Sequence, residues 1–217
     1  MKVVDLTHVI SEEMPVYPGT EGPKLEIVNT LEEHGFIETM LNVVSHTGTH
    51  MDPPGHLIAG KTLLDEFPAS QFVGKGLVID CTMYKEGDRI PMDTINKVRA
   101  KADAAEFLIF RTGWDKYWTA GEKYFGDYPY LSDEITQYVI DTRKKGVGFD
   151  TIGIDPVWDK KLILHKKLFN AYDVVIIENL TNLDQCKDDI FLFCALPLKY
   201  RKSDGAPIRA VGILDVL

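Results

Sequence analysis

Short apolar runs recur along this chain of 217 residues, and many of them are apolar at consecutive positions rather than at every second one. Strands with this pattern are buried on both faces, as in a sheet that is covered on both sides. Six runs are predicted strands: Leu41–Val44, Gly76–Cys81, Phe107–Phe110, Gly148–Ile154, Val174–Ile177 and Ile190–Leu196. The chain is therefore expected to build its core around a covered sheet.

Helical segments lie between some of these runs. The clearest is Ser132 to Lys145, in which Ser132 can cap the first turn and Arg143 lies in the last turn. Gly146 can occupy the position after the helix. Shorter helices are predicted over Met92–Ala102 and Lys160–Ala171. Buried strands separated by helices indicate an α/β fold with a mixed β-sheet core and flanking helices.

Composition limits the class of partner and the cellular location. The formal net charge is −9 and no long basic run occurs, so neither nucleic acid nor an anionic membrane surface is an expected partner. The longest apolar run, Ile190–Leu196, is far shorter than a membrane-spanning helix, and the first residues do not resemble a secretory signal. Three cysteines without a C-x-x-C pattern are typical of a cytoplasmic protein. With no repeat or linker in the sequence, one domain over residues 1–217 is predicted.

The most informative segment is Ser45–His56, which holds half of the chain's histidines and one aspartate. His46, His50, Asp52 and His56 are all at even positions, so an extended segment places them on one face. The glycines and the Pro-Pro pair among them make a continuous helix improbable. We expect a strand that runs into a turn, with three or four polar side chains directed at one point.

Imidazole nitrogens and a carboxylate at one point predict a metal site. This donor set suits Zn²⁺, and Mn²⁺ is also acceptable. His46, His50 and Asp52 supply the three protein ligands that a catalytic metal requires. His56 follows a Pro-Pro-Gly turn, so it can face the site without being a ligand, and an unligated histidine there is well placed to act as general acid or base. No zincin motif, nucleophile elbow or phosphate-binding loop occurs in the sequence.

The eleven residues from His46 to His56 match the pattern H-x-G-T-H-x-D-x-P-x-H of the cyclase-like family, which includes bacterial kynurenine formamidases (arylformamidases) and isatin hydrolases. Further segments resemble the family along almost the whole chain. They are Asp5–Thr7, Met14–Gly19, Phe110–Trp114, Gly153–Asp155, Ile177–Leu180, Ala195–Lys199 and Gly205–Ala210. The resemblance implies a swivelling α/β/β domain that assembles as a homodimer or homotetramer.

The resemblance also implies a ligand set. His46, His50 and Asp52 would bind a first metal ion, and Asp52 would bridge to a second ion held by His165 and Glu178. Read without the resemblance, Glu178 is a carboxylate at the end of a buried strand, which requires a metal or an arginine nearby. His165 lies on the apolar stripe of a predicted helix, where an ordinary core or surface histidine is the better interpretation. The resemblance reverses that order for His165.

These observations predict a metal-dependent hydrolase that cleaves an amide-type C–N bond of an aryl formamide such as N-formylkynurenine, or of a related cyclic amide. One or two Zn²⁺ or Mn²⁺ ions would activate water, with His56 as acid/base. Tyr17, Phe36, Trp114 and Trp158 are candidates to contact a flat aromatic substrate, although each could equally belong to the core. Two alternatives stay open: a cyclase or dehydratase on the same metal scaffold, and a non-catalytic metal or small-molecule binding protein.

Overall fold

The computed structural model describes residues 1–216, so Leu217, the last residue of the predicted domain, lies outside the described residues. Twelve strands are present: β1 Lys2–Asp5, β2 Lys24–Asn29, β3 Glu38–Asn42, β4 His50–Asp52, β5 Val73–Asp80, β6 Arg89–Ile90, β7 Phe107–Arg111, β8 Tyr130–Leu131, β9 Gly146–Phe149, β10 Val175–Glu178, β11 Phe191–Pro197 and β12 Ala206–Leu214. Five helices accompany them: α1 Leu31–His34, α2 Asp93–Asn96, α3 Arg99–Ala104, α4 Asp133–Asp141 and α5 Ile163–Ala171.

Eight strands form one mixed sheet that closes on itself. Their order is β1-β12-β11-β5-β7-β9-β10-β4, and β4 also pairs with β12. Neighbouring strands from β5 to β10 are parallel, while the remaining pairs are antiparallel. The predicted α/β class with a mixed sheet and flanking helices is confirmed, and the closure adds a barrel-like shape that was not predicted from the sequence.

The parallel strands β5, β7, β9 and β10 bury most of both faces, as their composition predicts. Val78, Ile109 and Ile177 belong to an apolar cluster on the inner side of the closed sheet, which we call the interior layer. Their neighbours in sequence, such as Leu108 and Ile176, belong to a second cluster that includes the apolar faces of α4 and α5. The alternation at period two divides each strand between these two layers.

The predicted helices are present but shorter. Ser132 caps α4 by accepting a hydrogen bond from the backbone N–H of Ile135 at 3.3 Å. The helix ends at Asp141, and Arg143 takes a left-handed backbone (φ 50°), so Gly146 begins β9 rather than following the helix. The helix predicted over 92–102 is divided into α2 and α3, and the one predicted from 160 begins at 163.

Two predicted strands lie elsewhere than expected. The run 41–44 overlaps the end of β3, which pairs with β2 in a hairpin outside the main sheet. The strand predicted over 148–154 begins at Gly146 and ends at Phe149, and residues 150–154 form a loop. Loop backbone at the carboxyl end of parallel strands is where ligand sites form in α/β sheets. Within residues 1–216, no helix is both long and apolar enough to cross a membrane.

Candidate metal centre

Strands β4 and β10 place three polar side chains on one face of the sheet. Glu178 lies opposite His50 in the antiparallel register, and Met51 and Ile177 point into the interior layer. Because side chains alternate along a strand, His50, Asp52 and Glu178 share the other face. The Nε2 atom of His50 lies 3.3 Å from Glu178 Oε2 and 3.5 Å from Asp52 Oδ1.

Two further histidines reach the same point from the turns that flank β4. Gly48, with a φ of +64°, turns the chain between His46 and β4. The strand therefore begins at His50 and does not include His46, as the predicted extended segment did. The Nδ1 atom of His46 nevertheless lies 2.7 Å from Asp52 Oδ1. His56 closes a 3-10 turn, Pro54–His56, and its ring centroid is 4.1 Å from that of His46. A side chain at Gly205 would overlap the His46 imidazole, so this glycine is required by the packing.

Two groups of potential metal ligands result, and they share one residue. The ligand atoms of His46, Asp52 and His56 lie within 4.8 Å of one another, and so do those of His50, Asp52 and Glu178. The Nε2 atom of His46 is buried and has no hydrogen-bond partner in the described chain. Imidazole nitrogens, buried carboxylates and an unpartnered nitrogen fit a divalent metal ion. The position of Asp52 in both groups fits a bridging ligand.

His165 approaches the centre from α5, which packs on the same side of the sheet. Its Nε2 atom lies 3.2 Å from Glu178 Oε1, and its Nδ1 atom lies 2.5 Å from Asp155 Oδ2. It belongs to neither group of three, so its contact with the centre runs through Glu178. Asp155 also accepts the backbone N–H of Leu164, which fixes the first turn of α5. The role of Asp155 was not predicted, although it follows an apolar run as Glu178 does.

Opposite charges determine the protonation of the centre when no metal is bound. Burial lowers the pKa of His50, but Asp52 and Glu178 outweigh it and raise the pKa to about 9. Burial likewise opposes Asp155 and Glu178 at His165, whose pKa rises to about 10. The neighbouring histidines hold the pKa of Asp52 below its ordinary value despite its burial. Protons and a metal ion therefore compete for the same nitrogens.

A cavity of about 650 Å³ opens onto these side chains. It is lined by His56 and by aromatic side chains that include Tyr17, Phe125 and Tyr128. Burial raises the pKa of Tyr128 well above its ordinary value, so the phenol is neutral. Of the four aromatic residues predicted to contact a substrate, Tyr17 is the one placed in this lining.

The other three predicted aromatic residues lie outside the lining. Trp114 is buried in a separate cluster, where its indole N–H donates to the backbone oxygen of Tyr124 at 2.9 Å. Trp158 is 68% exposed, and the edge of its ring meets Tyr130. Phe36 is 52% exposed and lies between α1 and β3, in the connection between the two strands of the hairpin. Apolar character alone did not separate core and surface aromatics from those of the cavity.

Asn179 joins the metal centre to the aromatic cluster. It follows Glu178 in a left-handed backbone (φ 58°), which is uncommon for a residue other than glycine and concentrates at functional sites. Its side-chain amide donates to Gly48 O at 2.8 Å, and its Oδ1 accepts the hydroxyl of Tyr124. The oxygen of Gly48 also accepts Nδ1–H of His50 at 2.8 Å. Asn179 therefore supports both β4 and the end of β10.

Comparison with known proteins places this arrangement among relatives. Kynurenine formamidase of Bacillus anthracis is 29% identical over 213 residues, which are 97% of this chain and 96% of that protein. Isatin hydrolase A from Ralstonia solanacearum superposes with a TM-score of 0.85 at 23% identity, covering 97% of this chain and 91% of that one.

A structure described as a "predicted metal-dependent hydrolase" from Bacillus stearothermophilus superposes with a TM-score of 0.77 at 29% identity, covering 97% of both chains. The profile of the family described as "Putative cyclase" matches residues 4–156, which include the whole His46–His56 segment. The match spans more than half of the chain, and the fold agrees with that of the solved relatives. The chain belongs to this cyclase family.

Proposed function

We propose that the chain is a metal-dependent hydrolase of amide C–N bonds. The observation that carries the proposal is the position of Asp52 in both groups of potential ligands, at the floor of an open cavity. A site of this kind holds a metal ion beside free space for a substrate, as catalytic sites do. The similarity to a kynurenine formamidase over nearly the whole chain supports the same reaction type.

The proposed substrate is an aryl formamide such as N-formylkynurenine, or a related cyclic amide such as isatin. The aromatic residues Tyr17, Phe125 and Tyr128 in the cavity lining support a flat substrate. The names of the relatives include both types of substrate. Small-molecule sites combine apolar walls with a few polar groups in this way.

Different side chains bind the metal and transfer the proton in the proposed reaction. Metal ions held by His46, His50, Asp52, Glu178 and His165 would supply a water of lowered pKa and polarise the carbonyl. His56 takes a proton from the attacking water at a ring nitrogen and returns it to the amide nitrogen as the C–N bond breaks. Burial lowers the pKa of His56, so its imidazole is neutral near pH 7 and can accept that proton.

Zn²⁺ is the proposed metal, and Mn²⁺ is the alternative that the donor set accepts. One ion would be held by His46, His50 and Asp52, and a second by Asp52, Glu178 and His165. The contact between His165 Nε2 and Glu178 supports this second group. Metal quantitation on purified protein, by inductively coupled plasma mass spectrometry, measures both the element and the number of ions per chain.

The function is tested by hydrolysis of N-formylkynurenine, isatin and simple aryl formamides by metal-loaded protein. The proposal expects turnover of at least one of them, and expects His56→Ala to keep its metal but lose turnover. Loss of metal in His56→Ala would instead make His56 a ligand. Absence of hydrolysis across the whole panel would contradict the proposed reaction and favour a cyclase or a non-catalytic binding protein.

A second copy of this chain is the proposed protein partner. The hairpin β2–β3 carries exposed apolar side chains: Ile27, Val28, Leu31, Phe36, Ile37, Met40 and Leu41. A two-stranded hairpin is marginally stable when both faces are in water, so a partner surface is expected to cover it. The segments before and after the hairpin hold Thr20 and His46, which line the cavity. A homodimer or homotetramer formed through this arm would therefore add to the surroundings of the site.

We also propose a cytoplasmic location. The three cysteines form no disulfide among the described residues, and two of them are buried. Burial raises the pKa of Cys186 to about 11, so its thiol is protonated and unreactive. Such cysteines are typical of a reducing compartment. Cell fractionation with an antibody against the chain tests this location.

A further inference from the structure

The hydroxyl group of Tyr128 makes no hydrogen bond that would stabilise the fold within residues 1–216. Its ring is buried, with 6% of the residue exposed, and packs with its edge toward Trp114 in an aromatic cluster. No hydrogen bond among residues 1–216 uses its hydroxyl, which faces the cavity rather than being sealed in the protein. The hydroxyl of Tyr124, in the same cluster, donates to Asn179 Oδ1 at 2.5 Å. A phenol hydroxyl that has no partner in the fold and faces a cavity is free to donate a hydrogen bond to a ligand there.

The position of the Tyr128 hydroxyl relative to the metal centre follows from Gly153. A methyl group built on Gly153 would lie 3.1 Å from the Tyr128 hydroxyl, 3.6 Å from Glu178 Oε1 and 3.9 Å from His165 Cε1. The hydroxyl and the Glu178–His165 pair thus face one small volume, which the absence of a side chain at Gly153 leaves open. A substrate atom in that volume is within reach of both.

Two other side-chain donors of the cavity lining already have partners. The side-chain amide of Asn179 donates to Gly48 O, and its Oδ1 accepts Tyr124. Lys160 lines the outer part of the cavity, is exposed, and directs its Nζ to the backbone oxygen of Val157 at 3.2 Å. Of the three atoms nearest to a methyl group at Gly153, only the Tyr128 hydroxyl is a neutral donor, because the others are a carboxylate oxygen of Glu178 and a ring carbon of His165.

We propose that the Tyr128 hydroxyl donates a hydrogen bond to the carbonyl oxygen of the scissile amide and stabilises the oxyanion that develops there. This role rests on the proposed hydrolase function. Water adds to the carbonyl carbon, and the π electron pair of the C=O bond moves onto the oxygen that Tyr128 contacts. Tyr128 keeps its proton, and the C–N bond breaks as the nitrogen takes the proton that His56 carries. A donor aimed at the developing charge lowers the barrier more than it strengthens ground-state binding.

The test is Tyr128→Phe, with Tyr117→Phe as the matched control. Tyr117 packs against the same aromatic cluster but does not line the cavity, so the same chemical change falls outside the site. Tyr128→Phe should keep its metal content and thermal stability, because the hydroxyl supports no contact in the fold. Its kcat should fall about 100-fold with little change in KM, as for removal of one oxyanion donor. Tyr117→Phe should match the wild type.

A binding measurement gives a second readout that does not depend on turnover. Phenylphosphonate, a tetrahedral oxyanion, should bind metal-loaded Tyr128→Phe about tenfold more weakly than it binds wild type in calorimetry. Wild-type turnover together with an unchanged phenylphosphonate Kd in Tyr128→Phe would overturn the proposal and leave the hydrolase function intact. A raised KM with unchanged kcat would also overturn it, because the hydroxyl would then contact a non-reacting atom. If wild type hydrolyses no amide, the proposed function fails, and the two Kd values still decide whether Tyr128 donates to an oxyanion.

Discussion

The two buried histidines of the centre are each oriented by the ring nitrogen that faces away from it. Nδ1 of His50 donates to the backbone oxygen of Gly48, and Nδ1 of His165 faces the carboxylate of Asp155. These partners leave Nε2 of each ring directed at Glu178. Such outer contacts fix the tautomer and the ring orientation of metal-binding histidines. The His50 and His165 rings therefore have this orientation before a metal ion binds.

Asp52→Ala should remove the metal. The substitution deletes the carboxylate common to both groups of ligands, so neither group keeps three members. Metal content by mass spectrometry should fall to near zero, while Asp184→Ala, which changes an exposed aspartate away from the centre, should keep the wild-type content. Full occupancy in Asp52→Ala would refute the shared-ligand arrangement.

His8 should make stability depend on pH in the acidic range. Its ring stacks on Trp118 with the ring centroids 3.9 Å apart, and its Nε2 is buried without a hydrogen-bond partner among residues 1–216. Burial, opposed in part by Asp115, lowers the pKa of His8 from 6.5 to about 4. The folded state then binds fewer protons than the unfolded state between these values, so stability is full above pH 6.5 and is lost as the pH falls toward 4.

Urea unfolding of metal-free protein at several pH values measures this effect. The free energy of unfolding of wild type should fall more steeply between pH 6.5 and 4 than that of His8→Phe, which keeps an aromatic ring against Trp118. Parallel curves for the two proteins would show that His8 contributes nothing to the pH dependence.

The sequence predicted the residues of the centre that are close in the chain. His46, His50, Asp52 and His56 lie within eleven residues, so local geometry limits where their side chains can point. Their spacing does not show that Asp155, Asn179 and Tyr128 adjoin the same volume, because the closed sheet brings those residues there. Asp155 follows an apolar run as Glu178 does, but that position alone does not indicate a role, and neither does an isolated tyrosine or asparagine in a sequence.

Among the structural elements, the short strand β4 organises the centre. It has three residues, because Gly48 turns the chain before it and Pro53 follows it. It pairs with both β10 and β12, which places His50 beside Glu178. The even spacing of the ligands predicted the shared face, but pairing between segments more than 100 residues apart cannot be read from either segment alone.

The elements that differ from prediction do so where tertiary contacts override local preference. The helix α4 ends early because Arg143 turns the chain and allows Lys144 to reach α3. There the Lys144 ammonium donates to the backbone oxygens of Ala102, Asp103 and Ala105, at 2.6, 3.1 and 2.7 Å. The basic residues 143–145 were predicted to form the last turn of one helix, but Lys144 is buried and caps another helix, α3.

The hairpin β2–β3 should mediate self-association. Ile27 and Leu41 lie on one face of it, since Leu25 pairs with Leu41 and Ile27 is two residues further along the same strand. The double substitution Ile27→Lys and Leu41→Lys should convert a dimer or larger assembly to a monomer in sedimentation velocity, because charge replaces the apolar contact. Glu32→Lys, which reverses a charge on the adjoining α1, should leave the assembly intact. A monomeric wild type, or an assembly unaffected by the double substitution, would contradict this role.

In the whole molecule, the strand that closes the sheet is also the strand that carries two of the proposed metal ligands. Strand β4 completes the closure through β10 and β12, and it carries His50 and Asp52. Its buried carboxylate and imidazoles would be unfavourable in the core without compensating charges. A metal ion bound there is expected to stabilise the folded chain as well as to provide the chemistry.

Amide hydrolysis at this centre is expected to require bound metal, and a metal titration measures that requirement. Metal-free protein is titrated with Zn²⁺ while bound metal and the initial rate of hydrolysis of N-formylkynurenine, isatin and aryl formamides are recorded. The rate should be zero without metal, rise in proportion to bound metal, and reach a plateau at one or two ions per chain. An undiminished rate in metal-free protein, or no hydrolysis of any of these amides at full occupancy, would contradict this expectation.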